Sequence, residues 1–75
     1  MITENGLEKA INYAADYGLQ IKAEDWEIAV YWNGHYVSGI PDRSYTRLYE
    51  LMAAIDEARK VVKEWIMEIK VNEEE

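Results

Sequence analysis

The sequence predicts an α+β protein: an N-terminal helix, an antiparallel β-hairpin that could gain a third strand, and a long C-terminal amphipathic helix. Apolar residues recur at alternating steps of three and four from Leu48 to Ile69, which is the spacing of one helix face. Asn33-Gly34 separates two runs rich in β-forming residues, and this dipeptide favours a two-residue type I′ turn. A shorter helical pattern follows Thr3, which is a suitable N-cap residue.

The first element is predicted to be a helix from Glu4 to Tyr17. Apolar residues recur along it at helical spacing, and Gly18 follows where a left-handed residue ends a helix. The next segment, Leu19–Ala23, alternates apolar and polar residues. It is therefore either a short third strand or an extended connector.

The hairpin is predicted over residues 26–32 and 35–40, and a two-residue turn fixes its register. The expected partners are Trp32 with His35, Val30 with Val37 and Ile28 with Gly39 on one face, and Tyr31 with Tyr36, Ala29 with Ser38 and Glu27 with Ile40 on the other. The first face, which also takes Trp26, is apolar and is expected to pack on the Leu48–Ile55 part of the long helix.

The long helix is predicted from Ser44 to Lys70, with Asp42 or Ser44 as its cap. Its length would be roughly 40 Å, whereas a compact domain of this size is about 30 Å across. The distal part should therefore extend beyond the body and form a dimer or partner interface, and a two-fold homodimer is the simplest arrangement. The predicted interface residues are Val61, Val62, Trp65, Ile66 and Ile69.

The 75 residues are expected to form one domain over 1–70, followed by an acidic disordered tail over 71–75. The net charge of −7 is uneven: seven acidic and two basic residues lie in 1–42, whereas 43–70 has five acidic and six basic residues. An acidic surface repels phosphate and anionic lipid. Direct binding to nucleic acid or membrane is therefore disfavoured, and a protein partner with a basic surface is favoured.

Five residues are predicted to bind that partner: Glu24, Asp25, Glu27, Tyr31 and Tyr36. Tyrosine is common at interface hot spots, and the carboxylates could imitate nucleic acid toward a basic groove. Two alternatives remain. The acidic cluster could be an ordinary solvated turn, and the N-terminal helix could cover the tyrosine face of the hairpin.

Catalytic, metal and cofactor sites are not predicted. The sequence has no cysteine and one histidine, His35, whereas a zinc site needs three or four ligands. Beside a turn, His35 is expected to pack at the edge of the hairpin or to have a minor pH-dependent role. Neither a signal peptide nor a membrane span is evident. The lack of cysteine favours a cytoplasmic protein over a small secreted one.

These observations predict a small, acidic, non-enzymatic protein-binding protein, a regulator or inhibitor of a larger basic protein that could itself bind nucleic acid. Phage-encoded inhibitors of bacterial defence, such as the anti-CRISPR class, are one concrete possibility on grounds of size and charge. The alternative is a structural homodimer or assembly subunit joined through the long helix. An enzyme would need a site shared across an oligomer.

Overall fold

The computed structural model describes the backbone of residues 2–74 and the side chains of residues 2–71. Five elements follow one another along the chain: α1 (Glu4–Ala15), β1 (Gln20–Ala23), β2 (Glu27–Trp32), β3 (His35–Pro41) and α2 (Leu48–Glu74). The strands form an antiparallel sheet in the order β1-β2-β3. The predicted α+β class is confirmed, and the segment after α1 is a third strand.

The molecule has two layers, because both helices pack on the same face of the sheet. The core between them is closed by buried residues from every layer: Ala10, Ala14, Leu19, Ile28, Val30, Leu51, Ile55, Ala58 and Val62. These residues share one apolar stripe on each helix and one face of the strands. Within the part of the chain that the structure describes, no helix or strand covers the opposite face of the sheet.

Local capping explains the bounds of α1. The Thr3 hydroxyl accepts a hydrogen bond from the Gly6 N–H at 3.0 Å, as expected of an N-cap. The helix ends at Ala15, two residues before the predicted end. Gly18 has a φ of +73°, and the Leu19 N–H donates to the Ala14 carbonyl at 2.9 Å. This bonding closes the helix around Gly18 as predicted.

The predicted hairpin register is correct for the two residue pairs next to the turn and wrong for all later pairs. Trp32 faces His35 and Tyr31 faces Tyr36, but a β-bulge between Val30 and Tyr31 shifts every later pair by one residue. The observed partners are Val30 with Ser38, Ala29 with Gly39, Ile28 with Ile40 and Glu27 with Pro41. The bulge has a physical reason, since it moves the apolar Ile40 to the core face and Gly39 to the open face.

Trp26 was expected on the core face, and this prediction is wrong. The residue precedes β2 in a bend, and 79% of its surface is exposed. Its carbonyl accepts a hydrogen bond from the Asp42 N–H at 2.9 Å, which joins the start of β2 to the chain after β3. The alternation of β2 therefore begins at Glu27 and does not include Trp26.

The beginning of α2 was also predicted wrongly, because the helix begins at Leu48 and the residue before it is Arg47, not Asp42 or Ser44. Thr46, which is buried, donates its hydroxyl proton to the Pro41 carbonyl at 2.8 Å and accepts from the Arg43 N–H at 3.0 Å. These bonds hold the preceding residues in a turn. The Arg47 N–H then donates to the Glu50 carboxylate at 2.9 Å, which is half of a capping box.

From Leu48, α2 continues without interruption for 27 residues. The molecule measures 48 × 21 × 18 Å, so the helix extends beyond the body as predicted. Its backbone is helical through Glu74, within the segment predicted as a disordered tail; the side chains from residue 72 onward and all of Glu75 lie outside the described residues. None of the helices described combines the length and the apolar character needed to cross a membrane.

Candidate protein-binding surfaces

The uncovered face of the sheet carries a connected group of aromatic and charged side chains. The rings of Tyr31 and Tyr36 meet edge to face with centroids 5.8 Å apart. The Lys22 ammonium lies 4.7 Å from the Tyr31 centroid, within cation–π range. The Tyr36 hydroxyl donates to the Glu27 carboxylate at 3.1 Å. These contacts hold the rings in fixed positions on an otherwise open surface.

The alternative in which the N-terminal helix covers this tyrosine face is wrong. The buried side of α1, formed by Ala10 and Ala14, packs in the core on the other face of the sheet. As a result, 49% of the Tyr36 surface is exposed. The three predicted residues Glu27, Tyr31 and Tyr36 are therefore brought together on a surface that a partner can reach.

The turn between β1 and β2 leads directly into Glu27, the acidic residue of this surface. Glu24 and Asp25 are exposed in the turn, and the Glu24 N–H donates to the Glu27 carbonyl at 2.7 Å. Trp26, which the sequence placed in the core, stands exposed beside them. We name the whole set the acidic–aromatic surface; it consists of Glu24, Asp25, Trp26, Glu27, Tyr31 and Tyr36.

The pKa of Tyr36 is raised above its usual value, first by desolvation and then by its hydrogen bond to the Glu27 carboxylate. Both effects favour the neutral phenol in the folded state. Because the folded-state pKa is higher than that of the unfolded chain, this contribution to stability is present at neutral pH. It is lost as the pH rises through the folded-state pKa.

Replacing Gly39 with alanine tests this arrangement. An added Cβ would lie 2.8 Å from the Tyr36 hydroxyl oxygen and 3.1 Å from the Glu27 carboxylate, so the Tyr36 side chain must move outward. We expect the pKa of Tyr36 to fall toward its usual value, with a loss of stability of about 1 kcal/mol or less. An alkaline titration of the tyrosine rings, followed by NMR, measures the pKa of Tyr36 in both proteins.

The control is Ser38→Ala, which changes the core face of the same strand and should leave the Tyr36 pKa unaltered. If the Tyr36 pKa were also unaltered in Gly39→Ala, the prediction would be contradicted.

The second candidate surface is the distal part of α2, residues 63–74, which we name the projecting segment. Its apolar side chains are largely exposed, including Ile66, Ile69 and Met67, the last with 58% of its surface exposed. Trp65 is half-buried, and its ring lies 6.2 Å from that of Trp32. Of the other two predicted interface residues, Val62 is buried in the core of its own chain and Val61 is half-buried.

A groove of about 780 Å³ separates the end of α1 from α2. Lysines and one arginine surround an apolar floor, and the complete lining is Tyr13, Tyr17, Leu19, Asp56, Arg59, Lys60, Val62, Lys63, Ile66, Met67 and Lys70. This groove was not among the sites predicted from the sequence. The signal was available in the spacing of residues 59, 63, 66 and 70, which share one side of a helix.

A hydrogen-bonded network closes the inner end of the groove. The Tyr13 hydroxyl donates to the Asp56 carboxylate at 2.6 Å, and the Arg59 guanidinium lies 3.4 Å from the same carboxylate. Arg59 also stacks on the Tyr17 ring at 3.5 Å from its centroid. The hydrogen bond to Asp56 is the main reason that the pKa of Tyr13 is raised. The network attaches α1 to α2 and places cationic side chains along the groove.

A smaller cleft of about 490 Å³ lies on the other side of α2, between the projecting segment and the hairpin turn. His35 lines it and is exposed, with Trp32 and Trp65 at its base. Among the described residues, no group of three or more histidine, cysteine or carboxylate side chains could hold a metal ion. The described residues that line these two grooves include no recognisable catalytic arrangement.

Comparisons with known proteins found no relative. The chain matches no family model, and it matches neither a curated protein nor a solved structure. The candidate functions therefore rest on the two surfaces and their chemistry.

Proposed function

We propose that this chain is a non-enzymatic protein-binding protein that contacts a basic partner through its acidic–aromatic surface. One observation carries the proposal: Trp26 is 79% exposed in a bend that directly follows Glu24 and Asp25 in the chain and directly precedes Glu27 of the uncovered sheet face. A large aromatic side chain exposed to water at this level has little role in its own fold. It is well suited to enter a pocket of a partner, where tryptophan and tyrosine often dominate the binding energy.

The charges favour a basic partner. The carboxylates around Trp26 can pair with arginine or lysine at the rim of an interface and accelerate association. Residues 1–42, which include this surface, have seven acidic and two basic side chains. The fixed ring positions of Tyr31 and Tyr36 lower the entropy lost on binding. Together these features fit a preformed surface for a protein.

Within this class, we favour a regulator or inhibitor of a larger nucleic-acid-binding protein, such as the targets of phage-encoded anti-defence inhibitors. An acidic surface with rigid aromatic rings would occupy a groove that otherwise receives phosphate groups. The negative charge that attracts the basic groove would also repel competing nucleic acid. Occupation of that groove requires no catalytic group on this chain.

Charge reversal tests the proposal. We expect Glu24→Lys with Asp25→Lys to abolish capture of a basic protein from a lysate of the source organism, because two attractive contacts become repulsive. The matched control, Glu8→Lys with Asp16→Lys, changes the net charge equally at exposed positions on α1 and at its C-cap, and it should keep the captured protein. Circular dichroism establishes that both variants fold. Equal capture by the two variants would refute the assignment to this surface.

A second candidate function is self-association through the projecting segment, as a homodimer or assembly subunit. The observation that favours it is the run of exposed apolar side chains on α2 beyond the body, among them Ile66, Met67, Ile69 and Val71. Exposed apolar side chains concentrated on one helical segment often mark an interface. The two candidate surfaces adjoin only at Tyr36, which lines the smaller cleft with Trp65 and Ile69, so a dimer can also bind a partner through the turn that carries Trp26.

A further inference from the structure

We propose that the groove between the end of α1 and α2 binds an amphipathic helix of another protein, one that presents an apolar face flanked by carboxylates. This groove is a second interaction site, with a charge preference opposite to that of the acidic–aromatic surface. The proposal does not depend on the partner proposed for that surface.

The shape of the groove follows from the way in which the two helices run. A Cβ on Gly6 would lie 3.6 Å from the Leu48 side chain, and the Tyr17 ring, just after α1, stacks on Arg59. The same eleven residues separate Gly6 from Tyr17 and Leu48 from Arg59, so α1 and α2 run side by side in the same direction. Whereas α1 ends at Ala15, α2 continues well beyond Arg59. The groove is therefore the space that a longer α1 would occupy, and a helix fits it.

The floor of the groove favours an occupant with an apolar face. Leu19 and Val62 are buried at its base. Ile66 and Met67 continue the floor along α2, with 37% and 58% of their surfaces exposed. Methionine is unbranched and adapts to the side chains that pack against it. A helix in the groove would bury apolar surface that the chain's own fold leaves in water.

The rim of the groove favours carboxylates on the occupant. Although the net charge of the chain is −7, four of its eight basic residues line this one groove: Arg59, Lys60, Lys63 and Lys70. Asp56 is the one acidic residue among the described residues of the lining, and it already pairs with Arg59 and accepts the Tyr13 hydroxyl proton. The three lysines form no ion pair with any described residue. Carboxylates of a partner helix would supply the missing opposite charge.

Arg59 is positioned in advance for such a carboxylate. Its guanidinium lies 3.5 Å from the Tyr17 ring centroid, and its contacts with Asp56 and Tyr13 both use the same nitrogen, Nη1. Among the described residues, the other edge of the planar group is left able to donate to a ligand. Because these contacts already restrict the side chain, less entropy is lost when a carboxylate binds.

The distribution of the charges favours a helix over an anionic lipid. Arg59, Lys63 and Lys70 share one side of α2 over about 17 Å, whereas a fatty acid carries its single charge at one end. Met67 and the lysines are exposed, so an acyl chain in this groove would stay largely in water. Carboxylates on successive turns of a helix match the spacing of the cations.

The test uses a synthetic helical peptide of about 15 residues, long enough to span the groove, with leucine along one face and glutamate on both sides of it. The peptide carries fluorescein, and fluorescence anisotropy with the full chain should show saturable binding. A control peptide with glutamine in place of every glutamate should bind at least tenfold more weakly. Absence of binding by the glutamate peptide, or equal binding by the two peptides, would overturn the proposal.

Charge reversal locates the binding site. Lys60→Glu with Lys63→Glu should weaken binding of the glutamate peptide at least tenfold, because two attractive contacts become repulsive. The matched control, Lys9→Glu with Arg43→Glu, changes the net charge equally at exposed positions outside the groove and should have a much smaller effect. Circular dichroism establishes that both variants fold. Equal weakening by the two pairs would mean that the peptide responds to net charge alone, and it would overturn the site.

Two truncations on α2 separate the groove from the rest of the projecting segment. Met67 and Ile69 are both exposed apolar residues, but Met67 lines the groove and Ile69 lines the smaller cleft. Met67→Ala should weaken binding of the glutamate peptide about fivefold or more, and Ile69→Ala less than about twofold. The reverse order would move the site to the other side of α2 and overturn the proposal.

Two other occupants are outcomes of the same experiment. If oleate displaced the labelled peptide at a lower concentration than the unlabelled peptide does, the groove would be a lipid site. If light scattering of the chain alone showed a dimer that Lys60→Glu with Lys63→Glu dissociates, a second copy would fill the groove. Either result would overturn the assignment to a helix of another protein. Each leaves the acidic–aromatic surface to its own test by partner capture.

Discussion

Leu51→Ala is expected to lower the free energy of unfolding by about 3 kcal/mol, one of the two largest effects predicted for this chain. Leu51 is fully buried where α2 meets the sheet and α1, beside Ile55 and Val30. Truncation removes apolar contacts and leaves a cavity between two rigid layers. A domain of this length has a total stability of only about 4–11 kcal/mol, so the loss is a large part of it.

Thermal unfolding measured by circular dichroism should show this as a fall in Tm of about 12–24 °C. The control is Tyr49→Ala, two residues earlier on the same helix. Tyr49 is 72% exposed to solvent. That variant should stay within about 0.5 kcal/mol of the parent. If the two variants were destabilised equally, Leu51 would not be part of a closed core.

The elements predicted correctly are those whose sequence signal is local or repeats over many residues. The apolar spacing from Leu48 to Ile69 predicted a helix longer than the body, and Asn33-Gly34 predicted the turn and its two adjacent pairs. These signals are local, and every residue in the pattern adds to them. The position of Tyr31 and Tyr36 on the face opposite the core residues was predicted for the same reason, because strand alternation places them there. Whether the N-terminal helix covers that face was left open by the sequence.

The wrong predictions concern places where a contact with another part of the chain overrides the conformation that the neighbouring residues favour. The bulge beside Val30 depends on burying Ile40, and the late beginning of α2 depends on Thr46 reaching Pro41. Neither contact can be read from spacing within one element. Trp26 was misplaced because its apolar character suggested burial, whereas the bend before β2 turns it to solvent.

The two proposed surfaces meet at Tyr36. This residue belongs to the acidic–aromatic surface, and it also lines the smaller cleft together with Trp65 and Ile69 of the projecting segment. Trp26 precedes the other end of β2, in the bend where its carbonyl accepts the hydrogen bond from the Asp42 N–H. Self-association through the projecting segment would therefore leave the Trp26 end of the acidic–aromatic surface open to a partner.

Trp65→Ala is the other large effect expected, and Trp26→Ala is its matched control, since both remove an indole. Trp65 is half-buried against Trp32 and joins α2 to the hairpin. Its truncation should cost about 2 kcal/mol and lower the Tm by about 8–16 °C at concentrations where the chain is monomeric. Trp26 is 79% exposed, so its truncation should change stability by less than about 0.5 kcal/mol and reduce partner capture instead.

Unchanged stability in Trp65→Ala would mean that the contact between Trp65 and Trp32 does not anchor the projecting segment. A large loss in Trp26→Ala would mean that this indole belongs to the core and not to the acidic–aromatic surface.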